Sequence, residues 1–218
     1  MEDCVEVYWQ KHLGKCRAAL EANNFDVYFA TDTSDAGRII YEEIVPMLSP
    51  KTASWGDSMT LQATGAIEQL RNDPEIEFIE TFEAGVPRPE IIERRRQALL
   101  VDLFLTGTNA LTERGQLVNL DMIGNRVGGI LFGPKHTVVT IGRNKIVPDL
   151  EAAMQRVRNV AAPMNGIKHP RFKTPCQKTG YCHDCKSPDR ICNAWTIMEK
   201  CFPPKRIKVV LINQDFGL

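Results

Sequence analysis

The sequence predicts an α/β protein in which helices cover both faces of a mostly parallel sheet. Short strand-like segments alternate with helix-like stretches of about 10 to 15 residues through the first half of the chain, which is the pattern of βαβ units. The composition is that of a globular domain, because 43% of the 218 residues are hydrophobic and 25% are charged. No internal repeat or low-complexity tract interrupts the alternation.

The first half opens with a helix over residues 3–22, where apolar side chains recur every three or four positions. A strand over 25–30 follows, and Asp32 or Thr33 is a suitable cap for the next helix, which carries Ile39, Ile40 and Ile44. The same alternation predicts strands at 52–55, 76–80 and 101–106, and helices at 58–70 and 89–100.

The pattern changes after Gly107. Short strand-like pieces at 117–120, 125–132 and 137–141, without helical period between them, predict a small antiparallel or mixed element that extends the sheet. The later elements are a helix from Pro148 to Ala162, a helix over 191–200 and a strand over 207–212. We therefore expect an α/β core over residues 1–162, and a cysteine-bearing segment over 163–218 whose final helix and strand return to the same domain.

Charge and hydropathy exclude some classes of partner. Lys and Arg number 27 and so do Asp and Glu, so the formal net charge is zero and no global field attracts nucleic acid or an anionic membrane. The apolar runs are far shorter than the roughly 20 residues of a membrane-spanning helix. The acidic start, Met1–Tyr8, lacks the features of a signal peptide, and we expect a cytoplasmic protein.

Two polar segments directly follow predicted strands, where open parallel sheets bind their ligands. The candidate ligand-binding residues there are Gly56, Asp57, Ser58, Thr60, Thr106, Gly107, Thr108 and Asn109. Small hydroxyl side chains and free N–H groups at a helix start suit an anion or a carbonyl group. The alternatives are an ordinary helix cap for the first segment and a polar turn for the second.

Two further segments combine Asn with basic residues beside glycine, namely Asn125–Arg126 and Arg143–Asn144–Lys145. Arginine pairs well with carboxylates and phosphates, so these loops predict recognition of a small anion; solvated turns are the alternative. Glu113 is a candidate catalytic carboxylate, or a solvent-exposed residue of a turn. The sequence has no nicotinamide or flavin fingerprint of the G-x-G-x-x-G type, and it has no P-loop.

The seven cysteines are unevenly placed, and four of them follow a C-x5-C-x2-C-x6-C spacing: Cys176, Cys182, Cys185 and Cys192. Four clustered thiols in a reducing compartment indicate a metal site, either a [4Fe–4S] cluster or tetrahedral zinc. The spacing matches neither the usual ferredoxin run nor a standard zinc ribbon, and free thiols are the third alternative. Cys201 is expected to be a small buried hydrophobic residue.

Several of these segments resemble the LUD-domain family, of the lactate-utilisation C type. The likeness extends over nearly the whole chain and rests on Gly56–Leu61, Thr106–Asp121, Gly124–Val127, Gly133–Pro134, Gly142–Lys145 and Thr174–Cys192. It implies a sheet like that of ribose-5-phosphate isomerase, glucosamine-6-phosphate deaminase and the CoA transferases.

The resemblance also implies a part in the oxidation of L-lactate to pyruvate beside iron–sulfur redox partner proteins. This chain lacks the C-x2-C-x2-C-x3-C-P runs of the companion iron–sulfur subunit. We therefore expect a subunit or accessory protein that binds a small anionic ligand, rather than a complete dehydrogenase. The alternatives are a stand-alone isomerase or transferase that acts on a phosphorylated or acyl-CoA substrate with Glu113 as its carboxylate, and an interaction or metal-sensing module. The sequence is also compatible with a homo-oligomer.

Overall fold

The structure is a computed structural model that describes residues 3–218. In chain order its strands are β1 (Asp26–Ala30), β2 (Thr52–Trp55), β3 (Glu77–Ile79), β4 (Leu103–Gly107), β5 (Ala110–Thr112), β6 (Leu117–Asp121), β7 (His136–Gly142), β8 (Ile146–Val147), β9 (Ala194–Met198) and β10 (Ile207–Ile212). Its α-helices are α1 (Cys4–Ala22), α2 (Thr33–Arg38), α3 (Val45–Leu48), α4 (Met59–Gln62), α5 (Ala66–Asn72), α6 (Arg88–Gln97), α7 (Asn125–Leu131), α8 (Leu150–Arg156), α9 (Ala162–Lys168) and α10 (Pro175–Thr179).

The predicted fold class is confirmed. Six strands form an all-parallel sheet in the order β1-β10-β7-β4-β2-β3. Alternate residues of its central strands face opposite sides, as the pleat requires. Val138 and Val210 pack with the apolar faces of α2, α3 and α5, whereas Val139 and Val209 pack with α1 and α7. The sheet is therefore buried on both faces.

A mixed element does follow Gly107, but it is a separate four-stranded sheet in the order β8-β5-β6-β9 and does not extend the main sheet. Of the predicted pieces, 117–120 lies in it as β6, whereas 137–141 is β7, a central strand of the parallel sheet. The predicted helix over 191–200 is wrong, because this stretch contains β9, which pairs antiparallel with β6. The backbone N–H and C=O groups at the edge of β6 need hydrogen-bond partners, and β9 supplies them. In this position Trp195 packs beside Leu120, and Met198 packs against the core beneath α1. These non-local contacts override the local preference.

The predicted strand over 125–132 is also wrong, because most of it forms α7. Gly124 has a φ of +87°, which lets the chain turn back into a helix immediately after β6. The Asp121 carboxylate accepts the backbone N–H of Val127 at 3.2 Å in the first turn. The two adjacent glycines, Gly128 and Gly129, have low helix propensity, so the sequence does not indicate this helix. In the structure Gly129 allows the Phe104 ring to approach the helix closely.

The other helices differ from their predictions mainly in length. The helix predicted over 58–70 is divided into α4 and α5 at Gly65, whose φ is +73°. The helix predicted from Pro148 starts at Leu150 and continues through a π-helical turn, Val157–Ala161, into α9. Cys201 is fully buried, as expected. No helix among residues 3–218 is long and apolar enough to cross a membrane.

The close approach of Gly129 to Phe104 predicts a specific cost. A Cβ at position 129 would lie 2.5 Å from the Phe104 ring, so we expect Gly129→Ala to lower the free energy of unfolding by about 1–3 kcal/mol. Gly14 lies in α1, and a Cβ added there would have no atom within 4 Å, so Gly14→Ala should instead add about 0.5–1 kcal/mol. Urea unfolding of both variants tests this, and equal effects of the two substitutions would contradict it.

Candidate anion-binding site

A cavity of about 490 Å³ lies beyond the carboxyl ends of β2 and β4. The structure brings many of the predicted ligand-binding residues to its walls: Asp57, Ser58, Gly107, Thr108, Asn109, Asn125, Arg126 and Lys145. They come from three strand ends and from α7. This is the edge at which a parallel sheet places its ligand.

Arg126 is buried and every polar arm of its side chain is engaged. Its Nε donates to Asp121 Oδ1 at 2.9 Å, and its two terminal nitrogens reach Asn119 Oδ1 at 2.6 Å and Asn109 Oδ1 at 2.8 Å. It also donates to the carbonyl of Gly107 at 3.0 Å. The guanidinium is thus fixed, and Asp121 balances its charge.

Lys145 is 4% exposed and has a different environment. Its Nζ donates to Thr60 Oγ1 at 3.0 Å and to the carbonyl of Thr108 at 3.2 Å, both uncharged acceptors. Burial, followed by the nearby charges of Arg156 and Arg126, lowers the pKa of Lys145 to about 7. Within the described residues no carboxylate forms an ion pair with this amine, so its charge is uncompensated.

A further basic residue near Lys145, Arg156, was not predicted from the sequence, and its guanidinium reaches the backbone oxygen of Leu218 at 3.3 Å. Its guanidinium donates to the carbonyls of Asn109 at 2.7 Å and Asn144 at 3.1 Å. Burial lowers the pKa of this side chain. A basic residue at the end of α8 looks like an ordinary surface residue in the sequence, and only the fold turns it toward β4.

A second polar group on the same cavity joins Asp57 to two residues at the end of α9. Lys168 Nζ lies 2.7 Å and 2.9 Å from the two Asp57 carboxylate oxygens, and His169 Nε2 lies 3.4 Å from Oδ2. Burial lowers the pKa of His169. No sequence pattern points to Lys168 or His169, because they lie more than a hundred positions from Asp57. Ser58, rather than Asp57, caps α4.

Some predicted residues support the cavity without lining it. Gly56 is packed closely by Arg126 and by Thr106, since an added Cβ would meet both at 3.0 Å. Arg143 points elsewhere, with its Nε 2.9 Å from Asp215 Oδ1 and its guanidinium over the Trp9 ring. Asn144 accepts the backbone N–H of Phe216 at 3.0 Å.

Glu113 is not brought to this cavity. Its carboxylate lies 2.5 Å from His12 Nδ1 and 2.5 Å from Lys15 Nζ, both on α1. The hydrogen bond from Lys15, against the opposing effect of burial, lowers the pKa of Glu113. The residue therefore forms an ion-pair cluster that attaches the loop after β5 to α1.

The four clustered cysteines line a second, smaller cavity of about 30 Å³. Cys176 is buried, and Cys182, Cys185 and Cys192 are half-buried. Burial, followed by the charges of the other three thiols, raises the pKa of Cys192 to about 11. Across residues 3–218, no three His, Cys, Asp or Glu side chains are already arranged to hold a metal ion.

Comparison with known proteins agrees with this architecture. The family model described as the LUD domain matches residues 13–212, which is most of the chain. The chain belongs to the LUD-domain family. LUD domains are associated with lactate utilisation, although no specific ligand or metal centre is thereby assigned to this one.

One similar solved structure is a DUF162-family protein from Deinococcus radiodurans. It is 11% identical to this LUD domain, with a TM-score of 0.53 over 94% of this chain and 98% of that one. At this identity the likeness shows the shared fold alone. No curated protein matches the sequence significantly.

The buried amine of Lys145 predicts a pH-dependent stability. The unfolded chain keeps this proton up to the ordinary pKa near 10.5, whereas the folded protein loses it near pH 7, so the residue destabilises the fold at low pH and ceases to do so as pH rises. We expect the wild type to gain about 2 kcal/mol relative to Lys145→Met between about pH 7 and 9. Urea unfolding at both pH values measures the difference, and a constant difference would contradict the assignment.

Proposed function

We propose that this LUD domain is a subunit or accessory protein in the oxidation of L-lactate or a related small carboxylate, and that it binds this anion at the strand ends. One observation carries the proposal: Lys145 is a buried amine, charged below about pH 7, that has no carboxylate partner and lies at the wall of a large cavity. A buried charge is costly unless it is paired, so an anionic ligand would supply the missing partner. The association of the family with lactate utilisation supports a small hydroxy or oxo acid.

The charge around the cavity favours an anion over a neutral ligand. The wall carries Arg88, Arg95, Arg126, Lys145, Lys168 and Arg171, against the carboxylates of Asp57, Glu83 and Asp121. All three carboxylates are already engaged: Asp57 pairs with Lys168, Asp121 with Arg126 and Glu83 with Arg94. In the proposed complex the ligand carboxylate lies against Lys145, and the 2-hydroxy or 2-oxo group faces polar groups such as Asn109 and His169.

The electrons removed from a hydroxy acid need an acceptor. The sequence carries no nicotinamide or flavin fingerprint. We therefore propose that the acceptor belongs to iron–sulfur partner proteins in the same compartment, the cytoplasm. A cavity of about 490 Å³ falls within the usual range for small-molecule sites, and a three-carbon acid fills only part of it, so room is left for a group from the partner.

The alternative of a stand-alone isomerase or transferase is less favoured. It requires Glu113 to act as a carboxylate beside the ligand, whereas His12 and Lys15 hold Glu113 against α1. If anion binding is the function, Glu113→Gln should leave ligand affinity unchanged. Turnover of a sugar phosphate or an acyl-CoA that disappears in Glu113→Gln would instead support the alternative.

Removal of the buried amine should abolish binding. We expect L-lactate or pyruvate to bind the wild type, and Lys145→Met to weaken that binding by at least about tenfold, because the ligand then loses its charge partner. Lys11→Met, at an exposed position of α1, is the matched control and should bind as the wild type does. Isothermal titration calorimetry at pH 6.5 makes the comparison.

Two results of this titration would count against the proposal. The first is that neither acid binds the wild type at millimolar concentration, and the second is that Lys145→Met binds as tightly as the wild type. Circular dichroism of both variants establishes that each is folded before affinities are compared.

A further inference from the structure

The cysteine cavity has room for a single ion. Its volume of about 30 Å³ is that of one or two small atoms, since a site for one water needs about 10–15 Å³ of such space. A [4Fe–4S] cluster contains eight atoms and would displace the surrounding segment much further than one ion would. Four thiolates around a single ion are the usual ligand set of tetrahedral zinc.

The surroundings of the cysteines suit a zinc–thiolate centre. Four thiolates and one Zn²⁺ carry a net charge of −2, which a neighbouring cation can offset. The Arg190 guanidinium donates to the carbonyl oxygens of Cys185 and Cys192, so it lies beside the thiols, and it also pairs with Asp184 at 3.0 Å, which leaves only part of its charge to offset the centre. The sulfur atoms are not yet arranged as metal ligands. Residues 180–193, which carry Cys182, Cys185 and Cys192, form no helix or strand, so these three sulfurs can move until each lies roughly 2.3 Å from an ion held with Cys176.

The cysteine cavity and the anion-binding cavity share a wall. Leu120 and Ile191 line both of them. Ile191 immediately precedes Cys192, and Asn193, which follows it, donates its backbone N–H to the carbonyl of Asp121 at 2.9 Å. Asp121 in turn holds Arg126. The position of Cys192 is therefore connected to the anion-binding cavity through two short links.

A second connection runs through the end of α9. Lys168 and His169 line the anion-binding cavity, and the Gln177 side chain of α10 donates to the carbonyls of Gly166 and His169 at 3.2 Å each. Cys176 precedes Gln177 and packs against Gly166, where an added Cβ would lie 3.1 Å from its sulfur. Two cysteines thus adjoin two different walls of the anion-binding cavity.

We propose that Cys176, Cys182, Cys185 and Cys192 bind one Zn²⁺, and that this ion fixes the Ile191–Asn193 and α9–α10 walls in the conformation that binds the carboxylate. The four thiols release their protons as the four Zn–S bonds form, and nothing is oxidised or reduced. The predicted effect on ligand affinity rests on the proposed function. Zinc binding and the ordering of the walls are independent of that function. The zinc is structural, so electrons pass only through partner proteins.

Metal analysis of the full-length protein tests the first part. We expect the protein, purified anaerobically and loaded with Zn²⁺, to hold one zinc per chain without acid-labile sulfide. Cys182→Ser/Cys185→Ser should hold almost none, and Cys4→Ser, an exposed cysteine outside the group, should hold one. No bound metal, or a sulfide-containing chromophore lost in the double variant, would overturn the zinc assignment.

Hydrogen exchange tests the second part without a ligand. Removal of zinc by a chelator should speed amide exchange across residues 119–127 and 166–193 by about tenfold or more and leave β7 and β10 protected. L-lactate or pyruvate should then bind about tenfold more weakly, which is an ordinary size for coupling between sites. Unchanged exchange in zinc-free protein would overturn the wall assignment. If neither acid binds either form, the proposed function fails, while the zinc content and the exchange data still decide this inference.

Discussion

The ion pair between Arg126 and Asp121 is the contact on which the candidate site depends. It joins the first turn of α7 to the end of β6, and the same guanidinium reaches the carbonyl of Gly107 at the end of β4. Removing either partner would leave the other buried and charged, which costs several kcal/mol in comparable cases. The neighbouring packing is built around this pair, since Gly56 has no side chain where Arg126 and Thr106 approach it.

Beyond this balanced pair, the site carries positive charge that the described residues do not neutralise. Lys145 Nζ donates hydrogen bonds to the Thr60 hydroxyl and the Thr108 carbonyl, but these uncharged acceptors do not offset its charge. The backbone around Phe216 covers this region, because its carbonyl accepts a hydrogen bond from Thr60. The two buried cations therefore have separate roles: Arg126 organises the strand ends, and Lys145 is the charge left for an anion to pair.

The sequence was sufficient to locate the strands of the main sheet, although it assigned β7 to the mixed element, and to find half of the site. Runs such as 52–55 and 207–212 are short and apolar and are separated from their neighbours by helical periods. These strands can therefore be predicted from the local sequence alone. The position of β9 is not local, since it follows from the open edge of β6, and α7 was hidden by two glycines whose role is evident only beside Phe104. Arg126 and Lys145 were found because Asn and basic residues occur together beside glycine in both segments. Arg156 and Lys168 instead lie at helix ends that only the fold turns toward the strand ends.

If Lys145 is the charge partner of the ligand, binding should be accompanied by proton uptake, and this uptake is the most direct test. At pH 8 most of the free protein has a neutral Lys145, because its pKa is about 7, and a carboxylate beside the amine would raise that pKa again. Titration of L-lactate or pyruvate in buffers of different ionisation enthalpy measures the protons taken up. We expect uptake approaching one proton per ligand in the wild type and none in Lys145→Met. Binding without proton uptake in the wild type would contradict this role of Lys145.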